Sequence, residues 1–231
     1  MTTGDNKYEP PRRDELVGEG AIRGTARMEA FADGVFAIAF TLPIVEIVIP
    51  SIERDGAQLG HDLAALAPHY AGYILASAVI GLYWVQHHFS GAIFRTTGHW
   101  FVIATAFFLA AIGFIAFPAR VLTEHFPDAA ARPAAAQYWV VSLSAVSLAW
   151  LVKWSVGVRR GHIDPRLEPD YVRHLIRRFR LVAAGNVAAA MLVFVSWQAG
   201  LALSALLMAW LLLPPETPRY TTRAPVIEGE S

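Results

Sequence analysis

Apolar runs of near-uniform length, separated by short polar breaks, organise this chain. The first covers residues 30–49 and stops at Pro50; the second covers 67–89, the third 100–122 and the fourth 134–158. Two further runs share 181–213, interrupted at Gln198-Ala199-Gly200. Crossing about 30 Å of hydrocarbon takes about 20 helical residues at about 1.5 Å each. The first four runs meet that length, and the shorter final pair predicts a tight helical hairpin. One long helix bent near Gly185 and Asn186 is the alternative, and it would move the C-terminus to the other side. Upstream of the final pair, Val172, Leu175, Ile176 and Phe179 recur at helical spacing among arginines. That spacing predicts an interfacial helix over 170–181 leading into the fifth span.

The pattern therefore predicts an all-α, polytopic membrane protein of six spans. It divides the chain into an N-terminal tail (1–25), a membrane domain (26–213) and a C-terminal tail (214–231), with residues 1–19 and 214–231 expected to be mobile. Composition agrees: 55% of the 231 residues are hydrophobic, and the mean hydropathy is +0.41. The first twenty residues lack the apolar core of a removable signal peptide.

Net charge is zero, which gives no electrostatic footprint for a nucleic-acid partner. Its distribution is uneven, however. Sixteen of the nineteen Lys and Arg residues fall on one side of a six-span layout, eight of them in the fourth connection if Lys153 is counted there. The opposite side carries only Arg54, Arg120 and Arg132. The positive-inside rule then puts both termini in the cytoplasm of a protein spanning the cell membrane. The absence of cysteine excludes disulfides, thiolate metal sites and cysteine nucleophiles.

The first apolar run is the most informative. It contains Asp33, Thr41 and Glu46, and a central aspartate costs about 2.5–3.5 kcal/mol on insertion scales. At about 100° per residue, Ile38, Leu42, Val45 and Ile49 share one narrow face, with Gly34 and Thr41 at its edge. Asp33 lies about 140° round the wheel from Ile38. Either the aliphatic ridge faces lipid and Asp33 faces protein, or the ridge faces a central axis and Asp33 faces neighbouring helices. Glu46 reads equally as a cation-attracting vestibule charge or as a solvated helix-end acid.

This segment resembles the signature of the bacterial TMEM175 family of potassium channels. Arg27, Phe31, Asp33, Ala37, Ile38, Thr41, Leu42, Glu46 and Ile47 match in register. The second run's Tyr83-Trp84-Val85-Gln86-His87-His88 resembles the family's Trp/His element, and Phe117-Pro118 its proline-containing end of the third span. The resemblance implies a homotetramer whose first helices line a central pore for potassium ions. Ile38 would form a hydrophobic constriction, Leu42 and Val45 further rings, and Thr41 would add hydroxyls near the constriction. Arg27, Phe31, Asp33, Trp84 and His87 would form the structural polar network seating the first helix on the second. The partners implied are further copies of the chain and membrane lipids, and no cofactor or metal is implied. No Thr-Val-Gly-Tyr-Gly loop is present, so selectivity would not come from a ring of backbone carbonyls.

Two positions depart from the family pattern. Ala32 replaces a serine, and Pro43 replaces an aliphatic residue and is expected to kink the first helix by freeing the Ala39 carbonyl. Two other function classes would need features of their own. A proton-coupled or proton-conducting transporter would use Asp33, Glu46 and His87 as a relay, but the chain shows no inverted repeat. A membrane enzyme would need clustered polar groups, and His87, His88, Arg95 and His99 are accompanied by no nucleophile or metal-ligand spacing. Those side chains, with Trp100, read as interfacial anchors.

Overall fold

The computed structural model describes residues 23–45, 47–50, 56–214 and 217–221. Helices dominate it: α1 (Ala26–Val45), α2 (Gly56–Ala65), α3 (Ala67–Gly91), α4 (His99–Phe114), α5 (Ala116–His125), α6 (Arg132–Arg159), α7 (Pro169–Leu192) and α8 (Trp197–Leu211). Two short strands, β1 (Arg23–Gly24) and β2 (Thr96–Thr97), pair antiparallel and tie the approach to α1 to the α3–α4 connection. Among the described residues, α1, α6 and the α4–α5 stretch His99–His125 are each long and apolar enough to cross a bilayer. The pair α2–α3, bent by 40°, passes as a fourth, and α8 is a shorter apolar helix.

Prolines explain most of the element boundaries. Pro118 has no N–H, so the Phe114 carbonyl lacks its usual donor. The third apolar run therefore steps at Ile115, whose N–H turns back to the Ile112 carbonyl at 3.2 Å, before α5 resumes. Pro68 sits in the first turn of α3, where a missing N–H costs nothing, and it separates α3 from α2, an amphipathic helix the apolar pattern did not reveal. In α1, Pro43 lies on the packed face. The helix runs through it unbroken and ends at Val45, four residues short of the predicted end, with Ile47 N–H in a tighter turn to the Ile44 carbonyl at 3.2 Å.

The last apolar stretch is a hairpin rather than one bent helix. α7 includes both the basic segment and the first half of the stretch, so the interfacial helix and the fifth apolar run are one continuous element. The break falls at Val193–Ser196, slightly before the predicted Gln198-Ala199-Gly200. Ser196 caps α8 by accepting from the Ala199 N–H. Gly200 lies in the first turn of α8 against Val193, where a Cβ would stand 2.6 Å from the Val193 Cα. That contact is why the glycine marks the turn without being its hinge.

The core is aromatic and lies among α3, α4, α6 and α7. Phe94 and Trp154 centroids are 4.9 Å apart, Phe108 and Trp150 5.0 Å, and Trp154 and Phe179 4.9 Å, all tilted. In lipid, exclusion of water contributes little between helices, and such contacts act through dispersion and ring-edge geometry. Gly157 makes room for this packing, since a Cβ there would meet the Phe94 ring at 2.5 Å. Two buried polar links fix helix rotation: the Tyr83 hydroxyl on the Ser147 hydroxyl at 2.9 Å, and Gln86 Nε2 donating to the Leu211 carbonyl at 3.0 Å.

Two expectations about polar segments need correction. Lys153 is not part of the connection after the fourth run; it lies inside α6 and is fully buried. The C-terminal tail is not wholly free, because Glu168 N–H bonds to the Arg219 carbonyl at 2.9 Å and Thr221 N–H to the Arg166 carbonyl at 2.8 Å. Backbone pairing of that kind holds a segment that composition alone reads as loose. The remainder of both tails lies outside the described residues.

Candidate functional site: the first helix and its seat

α1 meets the rest of the chain through Ala32, Phe36, Ala39 and Pro43, a four-, three-, four-residue progression that makes one narrow buried face. Small residues at three of those positions let the helix lie close to α3 and α4, with Phe36 as the single large plug. Only 22% of the α1 span is buried within the chain, against 39% for α4–α5 and 56% for α6. α1 is therefore a peripheral element of the protomer.

Its uncovered surface carries the aliphatic ridge. Ile38 is 57% exposed, Leu42 56% and Val45 76%, and Ile49 beyond the helix end is exposed as well. Phe31 is exposed too, and by the same wheel it continues the ridge two turns further back. Thr41 stands beside the ridge, its hydroxyl donating to the Ala37 carbonyl at 2.8 Å. With the proton committed to the backbone, both lone pairs of the oxygen stay available to accept, the form in which a hydroxyl meets a cation.

Asp33 lies on the other flank of α1, also exposed in the single chain, and accepts from the Trp84 indole N–H at 3.2 Å. Trp84 in turn stacks on His88 at 5.7 Å. The residues expected to form one network divide into separate groups. Arg27 is exposed, and no hydrogen bond or ion pair joins it to Asp33 among the described residues. His87, one helical turn along α3 from Trp84, is buried where Trp84 is exposed, and among the described residues its hydrogen bond goes to α6 rather than to Asp33. Its ring lies 5.6 Å from the Phe36 ring, and its Nδ1 meets Lys153 Nζ at 2.8 Å. Glu46 lies outside the described residues.

The His87 partner is the residue that the sequence reading missed. Lys153 Nζ donates to His87 Nδ1 and, at 3.2 Å, to Ser90 Oγ, which passes its own proton to the His87 carbonyl at 2.6 Å. The ammonium also sits over the Trp150 ring at 4.6 Å, a favourable site for a cation cut off from water. Among the described residues His87 Nε2 has no hydrogen-bond partner, so with Nδ1 accepting from Lys153 the ring's N–H is buried without an acceptor. A chain of contacts thus runs from α6 through His87 to Phe36, the plug that seats α1. A lone lysine inside an apolar run was the available signal, and proximity to Arg159 and Arg160 made it look like part of a basic loop.

A second polar group organises the turn after α6. Asp164 is buried and accepts from Arg95 Nε at 2.9 Å, Arg166 Nη2 at 2.8 Å and the Arg166 backbone N–H at 2.9 Å. The Arg166 side chain first, then its backbone N–H and Arg95, hold this carboxyl well below the usual carboxylate range, against the opposing effect of burial. His99, also grouped with the interfacial side chains, packs edge-on against Trp100 at 5.3 Å.

The chain matches known proteins over this same region. The family described as endosomal/lysosomal potassium channel TMEM175 matches residues 27–116, from α1 into the start of α5. A protein of Streptomyces collinus named potassium channel is 34% identical over 173 residues, 74% of this chain and 84% of that protein. The crystal structure of a lysosomal potassium-selective channel TMEM175 homolog from Chamaesiphon minutus superposes with a TM-score of 0.67 at 26% identity, covering 81% of this chain and 95% of that one. The human protein named endosomal/lysosomal proton channel TMEM175 is 38% identical over 69 residues, 27% of this chain and 14% of that one. A relative matched over most of its length, a shared backbone and a signature centred on the exposed first helix lead to one conclusion: this chain belongs to the TMEM175 family of ion channels, a membrane family and not an enzyme class.

Proposed function

We propose that the chain is one subunit of a potassium-selective channel, built by four copies around an axis lined by α1. Six units would cross the cell membrane: α1, α3, α4 with α5, α6, α7 and α8, with both termini cytoplasmic. The observation that carries this reading is the uncovered ridge of Ile38, Leu42 and Val45 on the least buried of the long apolar helices. A pore helix needs one face free for its symmetry mates and the opposite face held by its own protomer, and α1 has both.

The mechanism follows from the chemistry of the ridge. Four Ile38 side chains around a narrow axis would expel water, and a small widening would rewet the passage. Potassium sheds hydration water more readily than sodium, so a tight ring with few hydroxyl ligands favours it. The lone pairs of Thr41 supply such ligands. The family membership supports a channel, and the names of the bacterial relatives support potassium as the permeant ion.

The competing reading, proton transport through a relay, needs a connected line of titratable groups. Asp33 bonds to Trp84 while His87 bonds to Lys153, so these two acid–base groups belong to separate contacts. Reconstitution into liposomes with a potassium gradient tests the proposal. Potassium flux independent of an imposed proton gradient, and altered by Ile38→Asn, is the expected result. Strict coupling to protons, or flux indifferent to Ile38→Asn, overturns it.

A further inference from the structure

On the side of the bundle formed by α4 and α6 runs a groove of about 670 Å3, lined by no residue of α1. Its walls are apolar, with Trp100 and Phe107 from α4 and Ala149 and Val152 from α6, and its mouth is formed by Arg159 and Arg160. We propose that this groove binds one anionic phospholipid, an acyl chain lying along it and the phosphate held between the two arginines.

Three observations point to that occupant. The first is charge. No carboxylate lines the groove, and neither arginine has an ion-pair partner among the described residues, although Arg95 and Arg166 nearby are both engaged by Asp164. Two exposed guanidiniums at the end of an apolar channel match a phosphate ester attached to a hydrocarbon chain. The second is length. From Arg160 down to Ala149 is eleven helical steps of about 1.5 Å, or about 16 Å, close to one leaflet of a hydrocarbon core about 30 Å thick.

The third is the mouth itself. α4 begins at His99 with no side chain capping its first N–H groups, so the positive end of that helix adds to the arginine field. Trp100, exposed at the same level, is suited to the boundary between headgroups and chains. An acyl chain wedged between α4 and α6 would also brace the two helices that carry the Phe108–Trp150 contact behind Lys153. The groove depends only on the protein being embedded in a membrane, so it stands apart from the pore assignment.

Native mass spectrometry of the full-length protein, purified in a non-ionic detergent and titrated with phosphatidylglycerol or phosphatidylcholine, tests this. Wild type is expected to retain phosphatidylglycerol at least about tenfold over phosphatidylcholine, a ratio equivalent to about 1.4 kcal/mol. Arg159→Gln with Arg160→Gln should abolish that preference, and Ala149→Phe, which fills the inner end of the groove, should reduce retention of either lipid. The control Arg177→Gln with Arg180→Gln, in the other basic stretch, should leave the preference intact. Equal loss in that control means diffuse surface attraction and overturns the site, as does unchanged retention in either groove variant. A disulfide forming between copies of a Val152→Cys variant in membranes would show a second subunit covering the groove, and it too overturns the proposal. Size-exclusion profiles of each variant identify any that fail to fold, and the three variant sets then remain independent.

Discussion

Replacing Lys153 separates the two things this residue does. Its four-carbon stem fills space among Trp150, Phe94 and Phe108, and its ammonium bonds to His87 and Ser90. Lys153→Met keeps most of the stem and removes the charge. It loses two charge-assisted hydrogen bonds of about 1.5–3 kcal/mol each and cation–π attraction of about 0.5–2 kcal/mol. Against this stands a desolvation cost of several kcal/mol that the neutral side chain no longer carries. The two sides nearly cancel, so Lys153→Met should lie within about 2 kcal/mol of wild type. Lys153→Ala makes the same polar change and also empties the stem volume, so it should be less stable than Lys153→Met by about 2–5 kcal/mol, as for other large-to-small core changes. At about 2–4 °C per kcal/mol for a chain of this size, the two variants should melt roughly 4–20 °C apart when followed by tryptophan fluorescence in detergent. Equal melting of the alanine and methionine variants, both well below wild type, would refute the packing argument and show that the polar contacts alone hold α3 to α6.

Four further outcomes follow from particular positions. Asp164→Asn should cost about 1–3 kcal/mol at neutral pH by leaving Arg95 and Arg166 with a weaker acceptor. Because the folded carboxyl is held below its unfolded value, its contribution is present above about pH 4 and fades as pH falls further, so melting curves of variant and wild type should converge in acid. Gly200→Ala should destabilise the α7–α8 hairpin by about 1–3 kcal/mol, since its Cβ would meet the Val193 backbone. Gly113→Ala, with nothing within 4 Å of the new methyl, should gain up to about 1 kcal/mol from helix propensity. Thr41→Val keeps the shape of the side chain and removes the oxygen, so liposome flux assays should show a lower potassium-over-sodium ratio with unchanged melting.

Much of the helical layout was legible in the sequence because a bilayer imposes one length and one polarity on every crossing. The second and fourth apolar runs match α3 and α6 to within two residues at each end. The misses have local causes. Pro118 splits the third run, Pro43 lies close to the early end of α1, and Ser196, with a better capping side chain than its neighbours, starts α8 ahead of Gly200. The ridge of Ile38, Leu42 and Val45 was readable because helical periodicity fixes which side chains share a face. The polar seat beneath α1 was not, because the partner that engages His87 comes from α6, far along the chain. Lys153 shows the limit most clearly: sixty-six residues separate it from His87, and no local pattern reports a contact of that range. The order of the turn after α6 was hidden for the same reason, since Arg95, Asp164 and Arg219 come from three distant segments.

The rotation of α1 is the claim on which the channel reading depends, and the absence of native cysteine makes it directly measurable. Ile38→Cys and, on the Asp33 side of the helix, Phe40→Cys are each reconstituted into liposomes and exposed to a water-soluble, positively charged thiol reagent during potassium flux. The account predicts rapid block of the Ile38→Cys protein and continued flux through Phe40→Cys. An Ile38→Cys thiol that ignores the aqueous reagent yet reacts with a lipid-soluble one would contradict it, by showing the ridge turned to the bilayer.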